Sequence, residues 1–128
     1  RVAAAHAGWR GLAGGVLENT LAVFDDPKEV QVWLGPAIGP LAFEVGDDVF
    51  LAFCEDQPQA SDAFVRSPTN PEKWLADIYQ LARIRLNAAG VTDIYGGDFC
   101  TFTDSEYFYS YRRDGQTGRM VSLIWIEE

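Results

Sequence analysis

The chain has 128 residues, 48% hydrophobic and 23% charged, which suits one domain with its own core and excludes disordered, collagen-like and low-complexity classes. Ten Lys and Arg against nineteen Asp and Glu give a net charge of −9. Such a surface repels nucleic-acid phosphates and anionic lipid, so neither nucleic acid nor a membrane is an expected partner. No run approaches the roughly 18 apolar residues of a membrane span, and no basic flank and apolar run open the chain. Cys54 and Cys100 lack the spacing of a zinc knuckle or a redox pair and are too few for a secreted disulfide framework, which points to a cytoplasmic setting.

In chain order, Arg1-Val2-Ala3-Ala4-Ala5 reads as a buried strand that needs neighbours on both sides, and it opens on Arg where an initiator Met is usual. Both features suggest a piece of something longer. His6 to Gly15 is a glycine-rich loop, and the apolar stripe Val16, Leu17, Leu21, Phe24 predicts a helix closed by Asp25-Asp26-Pro27. Glu29 to Leu34 is a second strand, stopped by Gly35-Pro36-Ala37-Ile38-Gly39-Pro40. Asp47 or Asp48 caps a helix carrying Val49, Phe50, Ala52 and Phe53. Gln57 to Pro71 reads as a mobile loop. The strongest helical stripe, from about Glu72 to Ala89 with Leu75, Ile78, Ala82, Leu86 and Ala89 on one face, ends at Gly90. Val91 to Tyr95 reads as a strand and Gly96-Gly97-Asp98 as a turn. Tyr107 to Arg112 and Arg119 to Ile126 read as a hairpin around Asp114-Gly115. The order is that of a mixed α/β or α+β fold.

His6, the one histidine, ends the first strand at a glycine loop, where α/β proteins place ligand-binding groups; on the pattern alone a merely capped or hydrogen-bonded strand-end histidine fits somewhat better. One imidazole cannot make a zinc site, which takes three or four ligands. Arg10, with the backbone N–H groups near Gly11, can receive phosphate or carboxylate, or can bond loop carbonyls. Trp9 reads as a packing plug. Cys54 falls inside an apolar helix, whereas Cys100 follows a turn and is either a small buried side chain or a nucleophile with His6 as its base. The Tyr107, Phe108, Tyr109, Tyr111 cluster reads as strand packing, with Arg112 turned inward by alternation. Glu44 and Asp77 are carboxylates for proton handling, or surface and capping groups.

The run His6-Ala7-Gly8-Trp9-Arg10-Gly11, then Leu34-Gly35-Pro36-Ala37-Ile38-Gly39-Pro40 and Phe43-Glu44-Val45-Gly46, closely resembles the family once called multicopper polyphenol oxidases. Leu75-Ala76-Asp77, Gly97-Asp98-Phe99-Cys100-Thr101, Ser110-Tyr111-Arg112-Arg113-Asp114 and Thr117-Gly118-Arg119-Met120 are similar to its later motifs, so the resemblance covers essentially the whole chain. It implies a layered α/β/β/α sandwich of the YfiH-like type, of which residues 1–128 are the C-terminal portion of a single, incomplete domain. It further implies a zinc-dependent purine nucleoside phosphorylase with adenosine deaminase activity, acting on adenosine, inosine and related nucleosides with phosphate. Some members of the family are assigned to peptidoglycan editing.

The family's metal site uses two histidines and a cysteine, of which only His6 matches a position here. Cys100 does not match the ligand cysteine. The other two ligands would come from the remaining N-terminal part of the same protein, so the isolated fragment is expected to be inactive. Copper, which the older family name suggests, needs more histidines than the chain holds. In the resemblance His6 is a metal ligand, while Arg10 and Gly11 are our candidates for phosphate. Cys100 and Arg112 are the candidates for a catalytic role. Two other readings stand beside the resemblance: an amide hydrolase with Cys100 as nucleophile and His6 as base, and a noncatalytic half-domain whose exposed strands self-associate.

Overall fold

Glycines punctuate the first helices. In the computed structural model, which describes residues 1–127, Trp9–Ala13 (α1) and Val16–Leu21 (α2) are separated by Gly14 and Gly15. Gly15 takes φ 98°, a left-handed turn that side chains disfavour, and the helix restarts from it. The α1 turn buries Leu12 completely. Asp26 then accepts the N–H of Lys28 at 2.9 Å and starts a 3-10 turn over Pro27–Glu29.

Gln31–Leu34 (β1) pairs in parallel with Asp93–Gly96 (β5), from Gln31 opposite Asp93 to Leu34 opposite Gly96. Beyond the pair, Ala37 bridges to Cys100. Glu44–Val45 (β2), Phe64–Arg66 (β3) and Trp74–Ala76 (β4) form a second, antiparallel sheet in the order β2-β4-β3. Between β2 and β3 runs Asp47–Cys54 (α3), and after β4 comes Ile78–Ala88 (α4). Asp77 caps α4 by accepting the N–H of Gln80 at 3.1 Å, and Gly90 at φ 98° lets the chain leave it.

Two apolar clusters hold these pieces. The larger joins Leu12 of α1, Phe43, Val45 of β2, Val49 and Phe53 of α3, Phe64 of β3, Ala76 of β4 and Leu81 of α4. Phe50 stacks on Trp74 with ring centroids 4.3 Å apart and meets Phe64 edge-on at 5.2 Å. The smaller cluster, Leu21, Leu86 and Val91 with Val32 and Ile94 against it, seats α2 and α4 on the parallel pair. Arg85, buried on α4, reaches Glu18 at 3.4 Å and Asp56 at 3.5 Å and so ties α4 to α2 and to the end of α3. The result is an α+β fold, a partial domain of the kind expected.

Several local expectations are overturned. Residues 1–5 form no strand, because no neighbour among the described residues takes up their backbone groups, and most of them are exposed. The glycine-rich segment carries a helical turn, Trp9–Ala13, in place of a loop throughout. Residues 47 and 48 are the first residues of α3 rather than its cap, and the cap position is Gly46. Residues 57–71 are built structure, with a 3-10 helix over Pro58–Ala63 followed by β3. The helix expected from Glu72 starts only at Ile78, since Trp74–Ala76 is taken into the sheet between β2 and β3. The terminal hairpin is absent: Ser110 accepts the N–H of Arg113 at 3.2 Å and caps a short helix, Tyr111–Asp114 (α5). After it, residues 116–127 adopt no regular structure, leaving Val121 83% and Leu123 79% exposed.

Candidate functional site

Arg10 of α1, Lys73 just before β4 and Arg112 of α5 line one cleft of about 360 Å³ together with Trp9, Glu44 and the Val45 to Val49 stretch where β2 passes into α3. The Arg10 guanidinium lies 4.9 Å from the centre of the Trp9 ring. Arg112 stands 5.3 Å over the Phe43 ring and donates to the main-chain carbonyl of Glu44 at 2.9 Å. Its remaining N–H groups are left for another acceptor. Among the described residues none of the three cations forms a salt bridge, although Glu44 and Asp48 also line the cleft. Nearby, Asp47 is engaged elsewhere, accepting the Trp74 indole N–H at 2.8 Å and pairing with Arg66 at 3.8 Å.

Glu44 is half-buried and oriented by its neighbours. Its Oε2 accepts the hydroxyl of buried Ser67 at 2.7 Å and that of Thr69 at 3.4 Å, while Oε1 has no hydrogen-bond partner among the described residues. A cleft with three cations and one held carboxylate suits a ligand carrying an anion and hydroxyl groups. Gly11 lies in α1 outside this lining, whereas Arg10 lines the cleft beside side chains from distant segments.

His6 sits apart, exposed, at a wider and more apolar cleft of about 930 Å³ with Tyr109, Tyr111 and the Gly115 to Met120 segment. No three His, Cys, Asp or Glu side chains come together among the described residues. A catalytic zinc needs three protein donors, so the donor set within this chain does not by itself fit the metal, and His6 can contribute one ligand at most.

Cys100 is not brought to His6. Its Sγ accepts the N–H of Gly39 at 3.1 Å, an approach so close that a Cβ on Gly39 would stand 3.0 Å from the Cys100 Cβ. Its own N–H donates to Asp104 at 2.8 Å. Burial works to raise the thiol pKa, but hydrogen bonds from the Thr103 side chain and from the backbone of Gly39, Thr103 and Phe102 outweigh it and hold the thiol below its ordinary value. Among the described residues no hydrogen bond joins Cys100 to His6, and the carboxylate that meets Cys100 is Asp104, at its backbone N–H. Cys54 is raised by burial, as a packed thiol should be. Arg112 does not turn inward on a strand, and it reaches the cleft from the exposed face of α5. Asp77 takes the capping role expected for it, accepting the N–H of Gln80.

Lys73, Ser67 and Thr69 were not singled out in the sequence. Ser67 and Thr69 come from the Pro- and Ser-containing stretch and Lys73 from the start of the expected helix, and only the pairing of β4 with β2 and β3 carries them to Glu44.

The arrangement defines an α+β protein with a cation-lined cleft where a small sheet meets a helix start. A family model described as multi-copper polyphenol oxidoreductase laccase matches residues 1–127, and the chain belongs to that family. It is 60% identical over 129 residues to a purine nucleoside phosphorylase of Pseudomonas aeruginosa, covering 100% of this chain and 53% of that protein. It is 59% identical over 126 residues to the purine nucleoside phosphorylase YfiH of Escherichia coli, covering 98% of this chain and 51% of that one. The chain thus spans about half the length of the curated relatives it matches. Among solved structures, a Neisseria meningitidis protein superposes with a TM-score of 0.80 at 54% identity, over 87% of this chain and 46% of its own. YlmD from Geobacillus stearothermophilus gives 0.76 at 34% identity, over 87% of this chain and 43% of that one. No helix among the described residues is long and apolar enough to cross a membrane.

Proposed function

We propose that the full-length protein is a zinc-dependent purine nucleoside phosphorylase of the cytoplasm, with adenosine deaminase activity, acting on adenosine, inosine and related nucleosides. The observation that carries this is the match of the whole chain to proteins named purine nucleoside phosphorylase, with a cleft at Arg10 lined by cations that form no salt bridge among the described residues. In phosphorolysis a phosphate oxygen bonds to the ribose C1′ as the glycosidic bond breaks, and the purine leaves with a proton. The phosphate must be held against C1′, and a guanidinium beside the cleft is suited to that task. His6 is one zinc ligand in this reading, with the others supplied by the remaining N-terminal part of the protein, which also covers the exposed apolar segment from Met120 to Ile126.

The test is release of free base from adenosine and inosine by the full-length protein, with and without phosphate, alongside ammonia formation from adenosine. Phosphate-dependent base release is expected. No release from either nucleoside at any phosphate concentration overturns the phosphorylase reading, and absence of ammonia overturns the deaminase part alone.

A further inference from the structure

We infer that the cleft between α1, β2 and α5 is a pentose-phosphate site, with Arg10, Lys73 and Arg112 taking the phosphate and the Oε1 atom of Glu44 taking the ribose hydroxyls. The inference rests on the phosphorylase reading and says where, and by which groups, its sugar and anion are held.

Charge is the first argument. In a chain of net charge −9, three cations from segments 10, 73 and 112 line one cleft without a salt bridge among the described residues. Glu44 and Asp48 line the same cleft, yet neither comes within ion-pair distance of a cation among the described residues, so the three side chains keep donors for an incoming anion. Three cationic side chains from separate segments can between them donate to several oxygens of one tetrahedral anion.

Glu44 supplies the second. Its Oε2 is held by Ser67 and Thr69, and its main-chain carbonyl holds Arg112, so one residue fixes both a carboxylate and a cation at the cleft. Oε1 is left to accept. A carboxylate oxygen beside bound phosphate is repelled by the phosphate itself and gains only from a hydroxyl donor between them, which is what the ribose 2′ and 3′ groups provide. A volume of about 360 Å³ falls in the range of roughly 300–1,000 Å³ for small-molecule sites.

The experiment uses the full-length protein and its Lys73→Met, Lys73→Arg, Arg112→Met and Glu44→Gln variants. Binding of inorganic phosphate is followed by calorimetry without nucleoside, and KM values are measured for phosphate, inosine and 2′,3′-dideoxyinosine. Lys73→Met and Arg112→Met are expected to weaken phosphate binding and raise its KM about tenfold, with Lys73→Arg recovering most of the loss. Glu44→Gln is expected to raise the KM for inosine and leave that for 2′,3′-dideoxyinosine unchanged. Phosphorolysis with an unaltered phosphate KM in both cation variants overturns the anion site and leaves the phosphorylase reading standing. An equal response of both nucleosides to Glu44→Gln overturns the hydroxyl assignment. A wild-type protein that binds phosphate, loses it in Lys73→Met and yet releases no base overturns the phosphorylase reading while establishing the anion site.

Discussion

The hydroxyl of Tyr79 accepts the backbone N–H of Ala37 at 2.6 Å, pinning the Pro- and Gly-rich segment to α4 from 42 residues away. The same hydroxyl donates to the carbonyl of Phe99 at 2.7 Å, so one oxygen joins the segments on either side of the Ala37 and Cys100 bridge. Burial, the largest influence, pushes its pKa up, which keeps the phenol protonated and able to donate. Tyr79→Phe strands both backbone groups and is expected to cost about 1–3 kcal/mol, measured by urea unfolding of the full-length protein. An unchanged midpoint and slope would show that the hydroxyl holds nothing.

Phe53 is 1% exposed and packs from α3 against Phe64 of β3, with the Arg85 guanidinium 5.8 Å from its ring. Phe53→Ala leaves a cavity where α3, the three-stranded sheet and α4 meet, and such truncations cost about 3–5 kcal/mol. Leu51 on the same helix is 47% exposed, so Leu51→Ala is the control expected to fall within about 0.5 kcal/mol of wild type. Equal losses from the two variants would mean that α3 does not pack through the face described.

How much of this was legible in the sequence follows from how local each signal is. The apolar period of Val49, Phe50 and Phe53 sufficed for α3, and Gly90 marked the end of α4 correctly. The start of α4 was misread because Leu75 and Ala76 also fit a helical stripe, and only their pairing with β2 and β3 makes them strand. A better signal was present: Asp77 stands three residues before Gln80, the spacing of a capping box. At the C-terminal end, the nearly unbroken apolar run from Met120 to Ile126 calls for burial, and a strand forms only where a partner takes its hydrogen bonds. Arg10 and Arg112 were each singled out, but no local pattern puts them in one cleft with Lys73 and Glu44. That grouping is a product of topology.

The two thiols are expected to titrate in opposite directions. Cys100, held below its ordinary pKa despite burial by donors from Thr103, Gly39 and Phe102, carries more thiolate near neutral pH than Cys54, which burial raises. Iodoacetamide labelling read by peptide mass spectrometry should therefore modify Cys100 first, with a pH profile displaced to lower pH. Faster labelling of Cys54 would contradict the hydrogen bonds to Cys100. Because no hydrogen bond joins Cys100 to His6 among the described residues, Cys100→Ala in the full-length protein is expected to retain base release, and a dead variant would revive a nucleophilic role.

The last prediction concerns acid. Arg113 donates to Asp114 at 2.8 Å and to the carbonyls of Thr101, Phe102 and Phe108 between 3.0 and 3.1 Å, so it fastens α5 to the segment that follows Cys100. The Arg113 side-chain hydrogen bond, the largest influence, holds the Asp114 carboxyl below its ordinary value of 3.8. A carboxyl lowered by folding contributes stability that is fully present above the unfolded value and disappears as pH falls through the lower folded one. Asp114→Asn removes that contribution at neutral pH, so its melting temperature should lie below wild type there. As pH drops below 3.8 the wild-type carboxyl takes up a proton, Arg113 loses its anion, and the two melting curves should converge. A gap that stays constant through this window would mean that Asp114 stabilises by shape rather than by charge, and that Arg113 fastens α5 through the three carbonyls alone.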